Sequence, residues 1–428
     1  MCPDFPPRDS PRRFRPIRLT ISVSSRRYDA EVDEFGPAGH NHTPSRGIHL
    51  GRPISRQRPR VSPSRPGSAP SLDPSHRSDL LSPMAVFEQL LAIARNTFFE
   101  SIRQPVLLVV LIVSTILVVL SNPFSAYTLQ DDQRMYVDIG LSTIFMGGAI
   151  LSAFVASNVL TREIDNRTVL TVVSKPVSRP IFVIGKYLGV AAAQLLVMIF
   201  LALVFMMVEI HGVQQTVTTP YHLPVITLGF GAMILAVAGG IWCNFFYGYV
   251  FSSTFITIGT PLLIIAYGLC LLLGADFTPV PISEQFEGNL WIAVAVLFLG
   301  EMVLTAIALA ASTRLGQVLT LVTTIGFFIL GLLSDWLIAR RIARLDEISA
   351  ALLKAGGEIG LDIQSQYWAL KSAYAIVPNF QVFWLADAIT QDASIPLGYL
   401  AWTIPYGLTL VLVALAVAVM LFQRREVG

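Results

Sequence analysis

Glu301 sits about eleven residues from either end of an apolar run, Leu290–Ser312. A lone carboxylate in hydrocarbon is costly, so this group is expected to be protonated, paired or turned toward a wet cavity. Two readings stay open: a group on a substrate or proton path, and a satisfied interhelical hydrogen bond. Lys186, Glu209 and Asp335 lie near the ends of other runs, where a side chain reaches the boundary, and are expected to be positional. No GxxxxGK[ST] occurs. Gly185-Lys186 lacks the upstream glycine and precedes Tyr187, so no nucleotide binding through a P-loop is expected. The histidines form no HExxH pattern, and His211 and His222 are expected in a wet loop rather than on a metal. Cys2, Cys243 and Cys270 are far apart and give no disulfide framework. The chain is therefore not expected to be an enzyme.

A charged, helix-compatible stretch between two long apolar runs is Thr161–Lys186, TREIDNRTVLTVVSKPVSRPIFVIGK. Glu163 and Arg167 are spaced i, i+4 with the acid first, the favourable order for a helical ion pair. At about 100° per residue, Val169, Val172 and Val173 share one side, and Glu163, Arg167, Thr171 and Ser174 the other. Pro176 is expected to stop this helix near Lys175, and Ser178, Arg179 and Pro180 to turn the chain into the next run. A solvated loop that only sets topology is the plain alternative.

The pattern R-E-x-x-N-R-T-x-L-T-x-x-S-K-P-V-S-R from Arg162 to Arg179, followed by G-K-Y-L-G at Gly185–Gly189, resembles the cytoplasmic loop of ABC-2 type transporter permeases. It is closest to the subgroup of the nitrous-oxide-reductase maturation permease. Y-A-I-V-P-N-F-Q-V-F-W-L-A-D-A-I, Tyr374–Ile389, is similar to the Pro-centred hairpin that precedes the last span in such permeases. The resemblance covers residues 84 to 425. It implies a coupling helix seated in a separate ATPase, with Glu163, Arg167, Val169, Leu170, Val172, Val173, Lys175, Pro176 and Arg179 at that contact. It also implies two ATPase copies carrying ATP and Mg, a homodimer or a heterodimer with a related permease, and an exporter in the inner (plasma) membrane. No cofactor is expected on this chain and no nucleic acid among its partners. Many relatives carry Gly where Arg167 stands, so the loop geometry is expected to differ there. A secondary transporter coupled through Glu301, or a non-transporting scaffold for an ATPase complex, are the alternatives.

Composition divides the chain. A mean hydropathy of +0.63 with 14% charged residues in 428 points to a polytopic membrane protein. Residues 1–83 differ: 14 Arg against 8 acids, no Lys, and 14 Pro. Such a segment buries too little surface to offset its ordering entropy and is expected to be disordered. It reads as a basic arm for nucleic acid or anionic lipid, or as an upstream extension of a protein that begins at Met84. The second is preferred. Arg12-Arg13-Phe14 lacks the apolar stretch of a twin-arginine signal.

Residues 84–104 are amphipathic, with Val86, Phe87, Leu90, Leu91, Ala94, Phe98 and Ile102 on one arc, and are expected to lie in the interface. Residues 105–425 form the transmembrane domain, an all-α polytopic bundle. Eight spans are expected: Pro105–Ser121, Tyr136–Leu160, Ile181–Ile210, Pro224–Tyr247, Phe251–Gly274, Leu290–Ser312, Gln317–Leu337 and Pro396–Phe422. If Pro224–Gly274 forms a re-entrant pair, the count falls to six. Ten Lys/Arg against six favour both termini on the cytoplasmic side, with loop 161–180 inside and segment 338–395 outside. That outer segment is expected to be helical to Ala355 and broken at Gly356-Gly357. Gly147-Gly148 and Gly239-Gly240 are expected to allow close helix approach.

Overall fold

The computed structural model of the chain describes residues 83–127, 132–165, 178–213, 220–391 and 393–423, and of residues 83, 85, 132 and 160–165 only the backbone. Among the described residues there is no strand, and eight helices are long and apolar enough to cross a membrane. In chain order the helices are α1 (Pro83–Ile102), α2 (Pro105–Ser125), α3 (Asp132–Asp165), α4 (Arg179–His211), α5 (Leu223–Tyr247), α6 (Phe251–Cys270), α7 (Gly288–Ser312), α8 (Gln317–Ser334), α9 (Arg340–Lys354), α10 (Leu361–Ile376), α11 (Ala386–Ile389) and α12 (Leu397–Gln423). The all-α bundle expected from the sequence is the observed fold. α2 does take in Asn122–Ser125 beyond the run first marked at Ser121, with Pro123 inside its last turn.

α3, α4 and α7 form the enclosed centre, and the other spanning helices pack around them. Phe200, Phe205, Ile144, Leu151, Val303 and Leu304 fill that centre with negligible exposure. Local sequence sets the helix ends. Pro sits in the first turn of α2, α4 and α5, where a missing N–H costs nothing. Between α5 and α6, Gly248 takes φ +67°, its N–H bonds Asn244 O at 3.1 Å, and Tyr249 N bonds Cys243 O at 3.3 Å. This left-handed stop reverses the chain within a few residues, so α5 and α6 pack side by side as a hairpin. At 25 and 20 residues, each is long enough to cross by itself.

α8 does not end at the membrane boundary. It passes through a π-turn, Asp335–Ala339, into α9 as one 38-residue rod, Gln317–Lys354. At 1.5 Å per residue the rod is ~57 Å long, against ~30 Å of hydrocarbon. The rod therefore extends past the boundary. Gly356, at φ +75°, turns it into α10, which returns alongside. The returning chain is tied at the rod's base: Tyr374 Oη donates to Asp335 Oδ1 at 2.7 Å, and Asn379 Nδ2 donates to the same oxygen at 2.8 Å. Asn379 N donates to Tyr406 Oη of α12 at 2.9 Å.

Candidate functional site

Arg179 and Lys186 hold the end of α4 that follows the charged loop. Arg179 Nη1 donates to Gln423 O at 2.7 Å and Phe422 O at 3.4 Å, the last carbonyls of α12. A guanidinium there meets orphan acceptors and the negative end of the helix dipole. One turn on, Phe182 stacks on Phe422 with ring centroids 5.7 Å apart. Lys186 Nζ lies 3.6 Å from Glu100 Oε2 of α1, and only 2% of the lysine side chain is exposed. The expectation that Lys186 simply reaches the boundary is thus corrected: it is enclosed and ion-paired, because α1 covers it.

α1 lies so close because of two glycines. A Cβ at Gly185 would press on Ile93, and one at Gly189 on Ala94 O and Thr97. Small residues four apart let helix backbones meet. The buried face of α1 accordingly runs through Thr97, Ser101 and Ile102, while Phe87 (63%) and Leu91 (57%) are exposed. The face that packs inward carries small and polar residues beside Ile102, and Phe87 and Leu91, from the arc expected to lie in the interface, point away from the bundle. At its far end α1 is also pinned to the α5–α6 hairpin, where Ser252 Oγ donates to Ile102 O at 3.2 Å.

The loop itself is only partly visible. The α3 helix continues through Thr161–Asp165 as backbone, so Glu163 extends the second span. Its side chain, and Arg167, Val169, Leu170, Val172, Val173, Lys175 and Pro176, lie outside the described residues.

Glu301 is buried at the centre with 1% exposure. Gln194 Nε2 of α4 donates to Glu301 Oε2 at 2.9 Å and to Gly148 O of α3 at 3.1 Å. Thr305 Oγ1 lies 2.8 Å from both Gln194 Oε1 and Glu301 O, and Ser152 Oγ lies 2.9 Å from Gln194 Oε1. One amide thus joins α3, α4 and α7. Among the described residues Glu301 Oε1 has no hydrogen-bond partner. It also lies where a Cβ at Gly148 would fall, so Gly148 is small to admit the carboxyl. Gln194, Ser152 and Thr305 escaped the sequence reading, although a glutamine inside an apolar run and a threonine four residues after Glu301 were available signals. Gly147 faces Ser114, Gly239 Ile258 and Gly240 Phe251, the close approaches expected of them.

His222 is buried rather than in a wet loop: it caps α5, with Val225 N donating to Nδ1 at 3.4 Å. Burial, with His211 nearby, pushes its pKa below the ordinary value.

The segment from the end of α1 through most of α6 now has an independent assignment. Residues 102–268 match the family model for ABC-2 family transporter protein. No curated protein matches the chain. The match and the eight apolar helices support a multi-pass membrane permease of the ABC-2 type. The matched region contains the charged loop, both glycines of the α1 crossing, Lys186, Gln194 and Gly148, while Glu301 lies beyond it.

Proposed function

We propose that the chain is the membrane subunit of an ATP-binding-cassette exporter, related to the nitrous-oxide-reductase maturation permeases and driven by two copies of a separate ATPase. The observation that carries this reading is the double anchorage of α4 directly after the charged loop. Arg179 ties it to α12 and Lys186 to α1. A push on the loop at 161–180 is thereby delivered to the enclosed helices α3 and α4 and, through Arg179 and Lys186, to the peripheral α12 and α1. ATP and Mg belong to the partner, and the bundle rocks between alternate packings. Two such permeases, identical or related, complete the transporter in the plasma membrane, with both termini and the loop on the cytoplasmic side.

The test is reconstitution with the ATP-binding-cassette protein encoded nearest this chain. A stable complex whose ATP turnover exceeds that of the ATPase alone supports the reading. Absence of any complex in detergent and in bilayers contradicts it. Glu301 Oε1, without a hydrogen-bond partner among the described residues, favours a second reading, in which this carboxyl takes up a proton during transport. Transport that follows an imposed proton gradient without ATP would select it.

A further inference from the structure

At the end of the bundle opposite the charged loop, two cavities share a wall. The first, of about 290 Å³, opens between α2, α4, α5 and α6 and is lined chiefly by apolar side chains, including Met207, Val225, Phe230 and Leu263. The second, of about 200 Å³, is polar and lies between α2, α3 and α4, with Gln133, Tyr136 and Glu209 on its surface. Asn122 and Val208 line both. Asn122 is fixed there, its Nδ2 donating to Gly212 O at 2.6 Å.

We propose that this pair of cavities binds an amphiphile with one hydrocarbon chain and an ammonium headgroup. The chain lies in the apolar cavity and the headgroup at the Glu209 carboxyl. The sign of the headgroup follows from the polar side. Tyr136 Oη lies 2.7 Å from Phe205 O and also hydrogen-bonds the Glu209 side chain, so it is already engaged on this carboxyl. Glu287, at the N-terminus of α7, adds negative charge near Glu209. The adjacent cation Arg134 is held by Asp138 at 3.9 Å and Asp387 at 3.7 Å. A carboxylate with a second carboxylate close by suits a donor-rich cation, and such charge-assisted bonds are stronger than neutral ones. The apolar cavity is near the small end of ligand sites, roughly 300–1,000 Å³, which suits a single chain. This inference is independent of the ATP-driven reading, since it needs only the folded permease.

The test is scintillation-proximity binding of tritiated dodecylammonium to the full chain in phosphatidylglycerol nanodiscs, without ATPase, with dodecanol and dodecanoate as comparison ligands. The ammonium ligand is expected to bind at least tenfold more tightly than either. Glu209→Gln is expected to abolish that preference and leave dodecanol binding unchanged. Gly229→Phe, which fills the apolar cavity beside Met207, is expected to remove binding of all three. Displacement by single-chain lysophosphatidylethanolamine in the nanodisc would assign the site to a membrane lipid, and its absence to a soluble amine. Equal binding of all three ligands, or an undiminished preference in Glu209→Gln with an unchanged gel-filtration profile, overturns the proposal.

Discussion

Glu301 and Gly148 fit each other so closely that neither position is free to change alone. Gly148→Ala places a methyl group on the carboxyl and is expected to lower stability by about 1–3 kcal/mol, the usual cost of overpacking. Adding Glu301→Ser vacates that space and is expected to recover part of the loss. Thermal unfolding of the two single variants and the double variant in detergent measures the coupling. Lys186 offers a second contrast. Glu100→Ala removes one carboxylate from beside the enclosed ammonium, whereas Lys186→Met/Glu100→Leu removes both charges. The single change is expected to cost about 1–2 kcal/mol, below the 3–5 kcal/mol of a fully buried pair because Glu100 is one-third exposed. The double change is expected to be nearly neutral. His222 sets a pH dependence. Its pKa is lower in the folded protein than the ~6.5 of an unfolded chain, so the unfolded state binds more protons. Its contribution to stability is present above ~6.5 and is lost as pH falls below it. His222→Asn, which keeps a capping acceptor, is expected to flatten a melting-temperature profile between pH 7 and 5.

Among the elements, the sequence was most legible where apolar runs were long and bounded by Pro or Gly. All eight spans, the break at Gly356 and the amphipathic α1 could be read this way. The facing of α1 could not. An apolar arc places a helix in the interface without saying which of its sides meets protein, and the glycines at 185 and 189 select the small, polar side. Gly189→Leu is therefore expected to detach α1 from α4. A proteolytic site engineered near Phe87 should then be cut much faster in this variant than in the wild type. The α9–α10 arm was expected as an outer helical segment, but its continuity with α8 was not, because a π-turn carries no distinctive composition. Asn379 ties the arm to the bundle by its side chain and its backbone, so Asn379→Ala is expected to cost about 1–3 kcal/mol. Faster hydrogen exchange in α10, with α3 and α4 unchanged, would be its signature.

For the whole molecule, the central claim is that force enters through the loop between α3 and α4. The residues that would receive it were legible only through the resemblance, since one helix-compatible stretch serves equally as a plain solvated loop. What the sequence alone left out is the output side: Arg179 at the end of α12, Lys186 against α1, and Gln194 joining three helices all depend on contacts between residues over 40 positions apart. The decisive measurement compares Val173→Asp with a control, Leu353→Asp, on the exposed arm. Each variant is co-purified with the ATPase and assayed for ATP turnover in nanodiscs. Burying an unpaired carboxylate in a cleft costs several kcal/mol, so Val173→Asp is predicted to lose at least tenfold in association and to abolish stimulated turnover, while Leu353→Asp matches the wild type. Wild-type association and turnover in Val173→Asp would contradict the account.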